Sequence, residues 1–167
     1  MAKFSFPLTF VPNYMVVGRG YHALRKGKKE THLHKGVDLM ADVGTPVFAV
    51  ADGIVVDGPF LFAWQYNPPS HAIVVKHGPV TVLYGEIQLE GAKVTGDSVL
   101  QGEKIAAVAR TGIGSMLHIQ VYKGRYVKGK EVDPTPYLSV WRTNLPKEED
   151  AGPRFERDRP DYTSARR

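Results

Sequence analysis

The stretch HKGVDLMADVGTPVFAVADGIVV, residues 34–56, decides how the chain folds. Gly36 and the β-branched Val37 disfavour a helix. HKGVD therefore reads as a loop running into a strand, with Val37 and Leu39 facing inward and Asp38 facing the other way. Two short apolar runs follow, 46–51 and 53–57, parted by the turn signal Asp52-Gly53. The same punctuation continues outward through 71–77, 80–87, 104–109 and 117–122, separated by turns such as HGP and QGE. No run reads as a long helix. Short strands at this spacing predict a mainly β chain with an antiparallel sandwich or barrel-like arrangement around a cleft.

The chain has 167 residues, of which 43% are hydrophobic, enough for one domain with a real core. Residues 1–30 read as an irregular N-terminal approach and 31–141 as the domain. Residues 142–167 are dense in charge, contain Pro146, Pro153 and Pro160, and show no hydrophobic period. That tail is expected to gain its order from a partner chain in a larger assembly. The N-terminal MAKFSFPLTFVPNYMVV lacks a long apolar run followed by a small-residue cleavage site, and no segment reaches the ~18 apolar residues of a membrane span. The expectation is synthesis in the cytoplasm without a Sec-type signal and without membrane insertion. The net charge of +5 is modest, and RKGKK at 25–29 is a solvated loop rather than a nucleic-acid footprint.

Cysteine is absent, so any bound metal must rest on His, Asp or Glu. In SMLHIQVY, residues 115–122, the alternation sends Leu117, Ile119 and Val121 one way and Met116, His118, Gln120 and Tyr122 the other. His118 thus leaves the apolar face, as Asp38 does. His34, Asp38 and His118 offer an imidazole, a carboxylate and a second imidazole from a distant strand. That is a three-ligand tetrahedral zinc set with one open position, the stoichiometry of a catalytic site.

The same residues carry a family resemblance. HKGVDLMADVGTPVFAVADGIVV is similar to the signature of the lysostaphin-type (LytM-like) zinc endopeptidases, which cut peptide cross-links of bacterial peptidoglycan. HAIVVKHGPVTVLYGEI resembles their central hairpin, VTGDSVLQGEKIAAVARTGIGSMLHIQVY their approach to the last metal histidine, and VDPTPYL their closing turn. The resemblance spans residues 17–138. It implies a lysostaphin-type fold, zinc on His34, Asp38 and His118, and peptidoglycan cross-links as substrate. His32, which with His34 imitates a ligand pair, becomes a bystander or a residue supporting the ligands from behind.

The family's two other active-site histidines are replaced, one by Glu86 in YGEI and one by Met116 in MLH. Glutamate serves as general base in other zinc peptidases, and Glu86 is expected on the strand face that carries Tyr84. Methionine transfers no proton. The expectation is a degenerate or weakly active peptidoglycan endopeptidase that still binds zinc. It is read as a wall-contacting subunit of a phage tail or similar virion assembly, joined to other subunits through residues 142–167. The alternative is an active cell-wall lysin using Glu86 as general base. His71 and His77 are expected to bind no metal. The aromatics of DGPFLFAWQYNPPSH, residues 57–71, either wall a groove, plug it, or form a strand.

Overall fold

The computed structural model describes residues 4–16, 18–26, 31–63, 67–111 and 114–147. Among the described residues, ten strands and one helix follow in order: β1 Leu24–Lys26, β2 Thr31–Leu33, β3 Val37–Met40, β4 Pro46–Phe48, β5 Gly53–Ala63, β6 Ser70–His77, β7 Val80–Ile87, β8 Ser98–Val99, β9 Lys104–Ala107, β10 Met116–Lys123 and α1 Thr135–Trp141. Six strands form one antiparallel sheet in the order β3-β10-β7-β6-β5-β8, and two small sheets pair β1 with β2 and β4 with β9. The edge strands β3 and β8 do not meet, so the large sheet is open and the barrel-like alternative does not apply.

Alternation along each strand gives the large sheet two unlike faces. Val37 and Leu39 of β3, Ile73 and Val75 of β6, Val82 and Tyr84 of β7, and Leu117, Ile119 and Val121 of β10 share one buried cluster with Val47 and Ile105 from β4 and β9. The opposite face carries only a small cluster of Ala72, Val74, Leu83 and Tyr122, with Phe60, Phe62 and Tyr126 packed on it. That second face is the cleft.

The N-terminal segment closes the core. Phe6 and Leu8 are fully buried in the main cluster, each contributing ~1.5–3 kcal/mol by burial. The segment's backbone is held at several points: Ser5 N–H donates to Val50 O at 2.7 Å, Phe48 N–H to Pro7 O at 2.9 Å, and Phe6 N–H to Asn144 O at 2.9 Å. Phe4 stacks on Trp141 of α1 with ring centroids 5.7 Å apart. Leu138 and Trp141 bring the helix into the same cluster.

Two elements differ from the sequence reading. The chain around VDPTPYL is a seven-residue helix rather than only a turn. The strand expected to stop at Asp57 runs on to Ala63, and its register shifts around Asp57 and Phe60 absorb the Gly58-Pro59 pair that reads as a break. Phe60 and Phe62 therefore stand on a strand and line the cleft; Trp64 and Tyr66 lie outside the described residues, as does the tail from 148 onward.

Candidate metal centre and cleft

His118 is on β10 and Asp38 is its direct partner across the β3–β10 ladder, so register alone puts their side chains together on the cleft face. His34 comes from the loop before β3, where its backbone is fixed by His34 N–H donating to Ala23 O at 2.8 Å. Gly36 makes the close approach possible: a Cβ there would lie 2.2 Å from Ile119 O and 2.8 Å from His118 Nε2. The result is a buried triangle. His34 Nε2 is 3.2 Å from His118 Nδ1, Asp38 Oδ1 is 3.2 Å from His34 Nε2, and Asp38 Oδ1 is 2.8 Å from His118 Nδ1. All three residues are buried.

The outward nitrogens fix which ring atoms face the triangle. His34 Nδ1–H donates to Gly20 O at 2.9 Å. His118 Nε2–H donates to Gln120 Oε1 at 3.0 Å, and Gln120 in turn donates through Nε2 to the Tyr122 hydroxyl at 2.6 Å. Both imidazoles thus turn lone pairs toward the Asp38 carboxylate. Three acceptors at such distances repel unless a proton or cation lies among them. Tetrahedral zinc with bonds of about 2.0–2.1 Å spaces its ligand atoms about 3.3 Å apart, so this donor set fits the ion, and outer partners of this kind set the ligand tautomers.

Burial by itself would raise the Asp38 pKa, but its interaction with His118 and His34, which takes a proton or cation among the three groups, outweighs burial and holds the carboxyl well below the usual range. The second Asp38 oxygen accepts from Arg25 Nη2 at 3.2 Å. The carboxylate is therefore ionised and held on both sides.

Glu86 reaches the cleft by a route that strand alternation does not reveal. The β6–β7 register slips between His71 and Ala72, whose partners are Ile87 and Gly85, leaving Glu86 as the extra residue of a bulge. It takes φ of 61°. The bulge resets the alternation, so Tyr84 and Ile87 both stay in the core while Glu86 joins His118 at the cleft wall. The expectation that Glu86 shares the Tyr84 face is therefore corrected. Fully buried Ser70 donates through Oγ to Glu86 Oε2 at 2.6 Å. Burial raises the Glu86 pKa, and the Ser70 hydrogen bond only partly offsets that rise.

Met116 also lines the cleft, with 8% of its surface exposed, beside its ladder partner Met40. Phe62 leans over His118 with ring centroids 5.2 Å apart. Gly85 leaves room for it, since a Cβ there would lie 3.0 Å from the Phe62 ring. The cleft holds about 830 Å³, and His32 stands at its rim without contributing an atom to the triangle. His77 faces the core, where Tyr84 donates its hydroxyl proton to Nε2 at 2.8 Å. His71 pairs with Leu61 and Ile87 and lines no part of this cleft.

Sequence reasoning placed Gln120 on the His118 face without assigning it a task; the i, i+2 spacing on a strand was the available signal. Ser70, Arg25 and the Gly20 carbonyl gave none, because each reaches the site from an element distant in sequence or too short to show a period.

An open antiparallel sheet with two imidazoles and a carboxylate converging on its cleft puts the chain among the metallopeptidases. Within that class it belongs to Peptidase family M23, whose sequence profile matches residues 32–134. It is 34% identical over 104 residues to an uncharacterized metalloprotease of Haemophilus influenzae, covering 60% of this chain and 20% of that protein. It is 32% identical over 90 residues to the peptidoglycan DD-endopeptidase ShyC of Vibrio cholerae, covering 52% of this chain and 19% of that protein. The chain thus spans about a fifth of the length of these relatives. Among solved structures, the catalytic domain of the antimicrobial peptidase lysostaphin from Staphylococcus simulans superposes with a TM-score of 0.60 at 27% identity, over 73% of this chain and 90% of that one.

Proposed function

We propose that the chain is a zinc-dependent hydrolase of peptide cross-links in peptidoglycan, working with a reduced proton-transfer apparatus. His34, Asp38 and His118 hold the metal, and Glu86 is the general base. The observation that carries this reading is the β7 bulge, which turns a carboxylate of raised pKa into the cleft occupied by the triangle. Similarity to a peptidoglycan DD-endopeptidase and to lysostaphin supports the substrate class.

Bound zinc supplies Lewis acidity and lowers the pKa of a coordinated water to about 7. The chain's own residues do the rest. Gly20 O and Gln120 hold the two imidazoles in the tautomers that present Nε2 and Nδ1. Arg25 keeps Asp38 in place. Glu86 takes up the proton released when the amide carbon is attacked and returns it to the leaving amine, with Ser70 fixing one oxygen so that the other is free for transfer. Phe62 covers His118 and limits solvent. Nothing at position 116 donates a hydrogen bond to the developing oxyanion, and one missing partner of this kind costs about 10²–10³ in rate.

A second reading rests on Met116. An apolar thioether beside Met40, where the family resemblance places a histidine, suits a domain that keeps the metal and contacts the wall without turning it over, as a subunit of a phage tail or comparable assembly. One assay separates the two readings. Purified cross-linked muropeptides are incubated with the protein, with and without EDTA and with zinc restored. Metal-dependent release of the cut peptides supports the hydrolase, and Met116→His is expected to raise its rate. Stoichiometric zinc without cleavage, with cleavage appearing only in Met116→His, supports the subunit.

A further inference from the structure

Beyond the metal centre, the cleft carries a second chemical feature that the reaction does not use. Val121 of β10 bridges Val132 in antiparallel fashion, so Glu131 lies across from Tyr122 and on its face of the sheet. Glu131, Tyr122 and Tyr126 line the cleft together. The Tyr122 and Tyr126 rings meet edge to face, with centroids 5.0 Å apart. The Glu131 backbone is tied down where Tyr21 donates through its hydroxyl to Glu131 O at 3.4 Å.

One carboxylate oxygen lacks a partner: Glu131 Oε2 is buried, and among the described residues no hydrogen bond reaches it. Lys128 stands at the same cleft and does not supply that bond. Negative charge at Glu131 is felt by Tyr21, Tyr122 and Tyr126, all of which have raised pKa values to which it contributes after burial. A buried carboxylate oxygen without a donor is costly, and ring faces beside it favour a cation over a neutral group.

We infer that Glu131, Tyr122 and Tyr126 form a subsite for a primary ammonium group, carried by a peptide substrate in the same cleft as the metal centre. The ammonium pairs its charge with the Glu131 carboxylate where that side chain lines the cleft, and lies against the tyrosine rings. Gln120, bonded to both His118 and Tyr122, ties the subsite to the metal triangle, so an amine seated there fixes how the adjoining peptide lies relative to His118. That the amine belongs to a peptidoglycan peptide rests on the function proposed above; the ammonium site itself does not.

The test uses the full zinc-loaded chain and two probes. The first is n-butylammonium chloride, titrated while the ring signals of Tyr122 and Tyr126 are followed by NMR. Saturable shifts that disappear in Glu131→Gln are expected, with zinc content unchanged. No saturable shift, or the same shift in Glu131→Gln, overturns the inference whatever the protein does to peptidoglycan. The second probe is a cross-linked muropeptide with a free amine, compared with its N-acetylated form. Acetylation is expected to weaken binding about tenfold in the wild type and not in Glu131→Gln. Equal binding of both forms overturns the substrate assignment of the subsite, whereas binding of butylammonium without binding of either muropeptide overturns the peptidoglycan reading and leaves the ammonium site standing.

Discussion

Gly36 is the residue on which the metal triangle depends most directly. A methyl group there would meet the Ile119 carbonyl and the His118 ring, and the backbone carbonyl has no flexible end to yield. Gly36→Ala is expected to cost about 1–3 kcal/mol in chemical unfolding and to release zinc even where the protein stays folded, read by metal analysis of the purified variant. Gln120 acts more gently. Gln120→Leu removes the acceptor for His118 Nε2–H, and zinc affinity is expected to fall about 10–100-fold with little change in the far-ultraviolet spectrum, measured by competition with a chelating dye. Ser70→Ala separates position from charge at Glu86. The Ser70 hydrogen bond favours the ionised carboxylate, so its loss raises the Glu86 pKa further. The acidic limb of the pH–rate profile, below which Glu86 is protonated and cannot accept, is expected to move to higher pH in Ser70→Ala. A limb that stays in place would mean that Glu86 is not the group titrating.

At the scale of elements, the β6–β7 hairpin both builds the cleft wall and buries a titratable group. Neutral His77 donates from Nδ1–H to Asp52 O and accepts from the Tyr84 hydroxyl, which itself accepts from Val50 N–H. Burial lowers its pKa from 6.5 to about 4. The unfolded chain therefore holds more protons than the folded one between those values, and the native state loses stability as pH falls through that window, by up to roughly 3 kcal/mol. Urea midpoints at pH 7 and 4.5 are expected to differ more in the wild type than in His77→Gln.

The long strands of this sheet were legible because alternation over six to eight residues outweighs noise: β6, β7 and β10 lie within a residue of where Val, Ile and Tyr spacing puts them. Pieces such as β1, β2 and β8 are too short to show a period. The extension of β5 was hidden by Gly58-Pro59, which reads as a stop and is absorbed as an irregularity. Of the site, the shared face of Asp38 and His118 could be read because each alternates with apolar neighbours on its strand, whereas His34, in a loop, was singled out from His32 only by the family resemblance. The face of Glu86 could not, because a bulge depends on the register of the partner strand.

Over the whole molecule, one sheet face is a packed core and the other a working cleft, and the chain spends its N-terminal segment and its helix on sealing the first. Residues 4–16 thus belong energetically to the domain although they contain no regular element. Leu8→Ala, at a fully buried position far in sequence from every site residue, is expected to lower unfolding free energy by about 2–5 kcal/mol without altering zinc stoichiometry. The cleft face can carry polar and charged groups because it contributes little to that core. Its triangle, its bulge carboxylate and its tyrosine-lined end are therefore free to serve chemistry.

In the proposed function this cleft hydrolyses peptide bonds with Glu86 as its base. Single-turnover cleavage of a purified cross-linked muropeptide, wild type against Glu86→Gln at matched zinc occupancy, tests it most directly. Slow, zinc-dependent cleavage by the wild type, reduced about 10²–10⁴-fold in Glu86→Gln, is the predicted result; equal rates in the two proteins, or no cleavage by the zinc-loaded wild type, would contradict it.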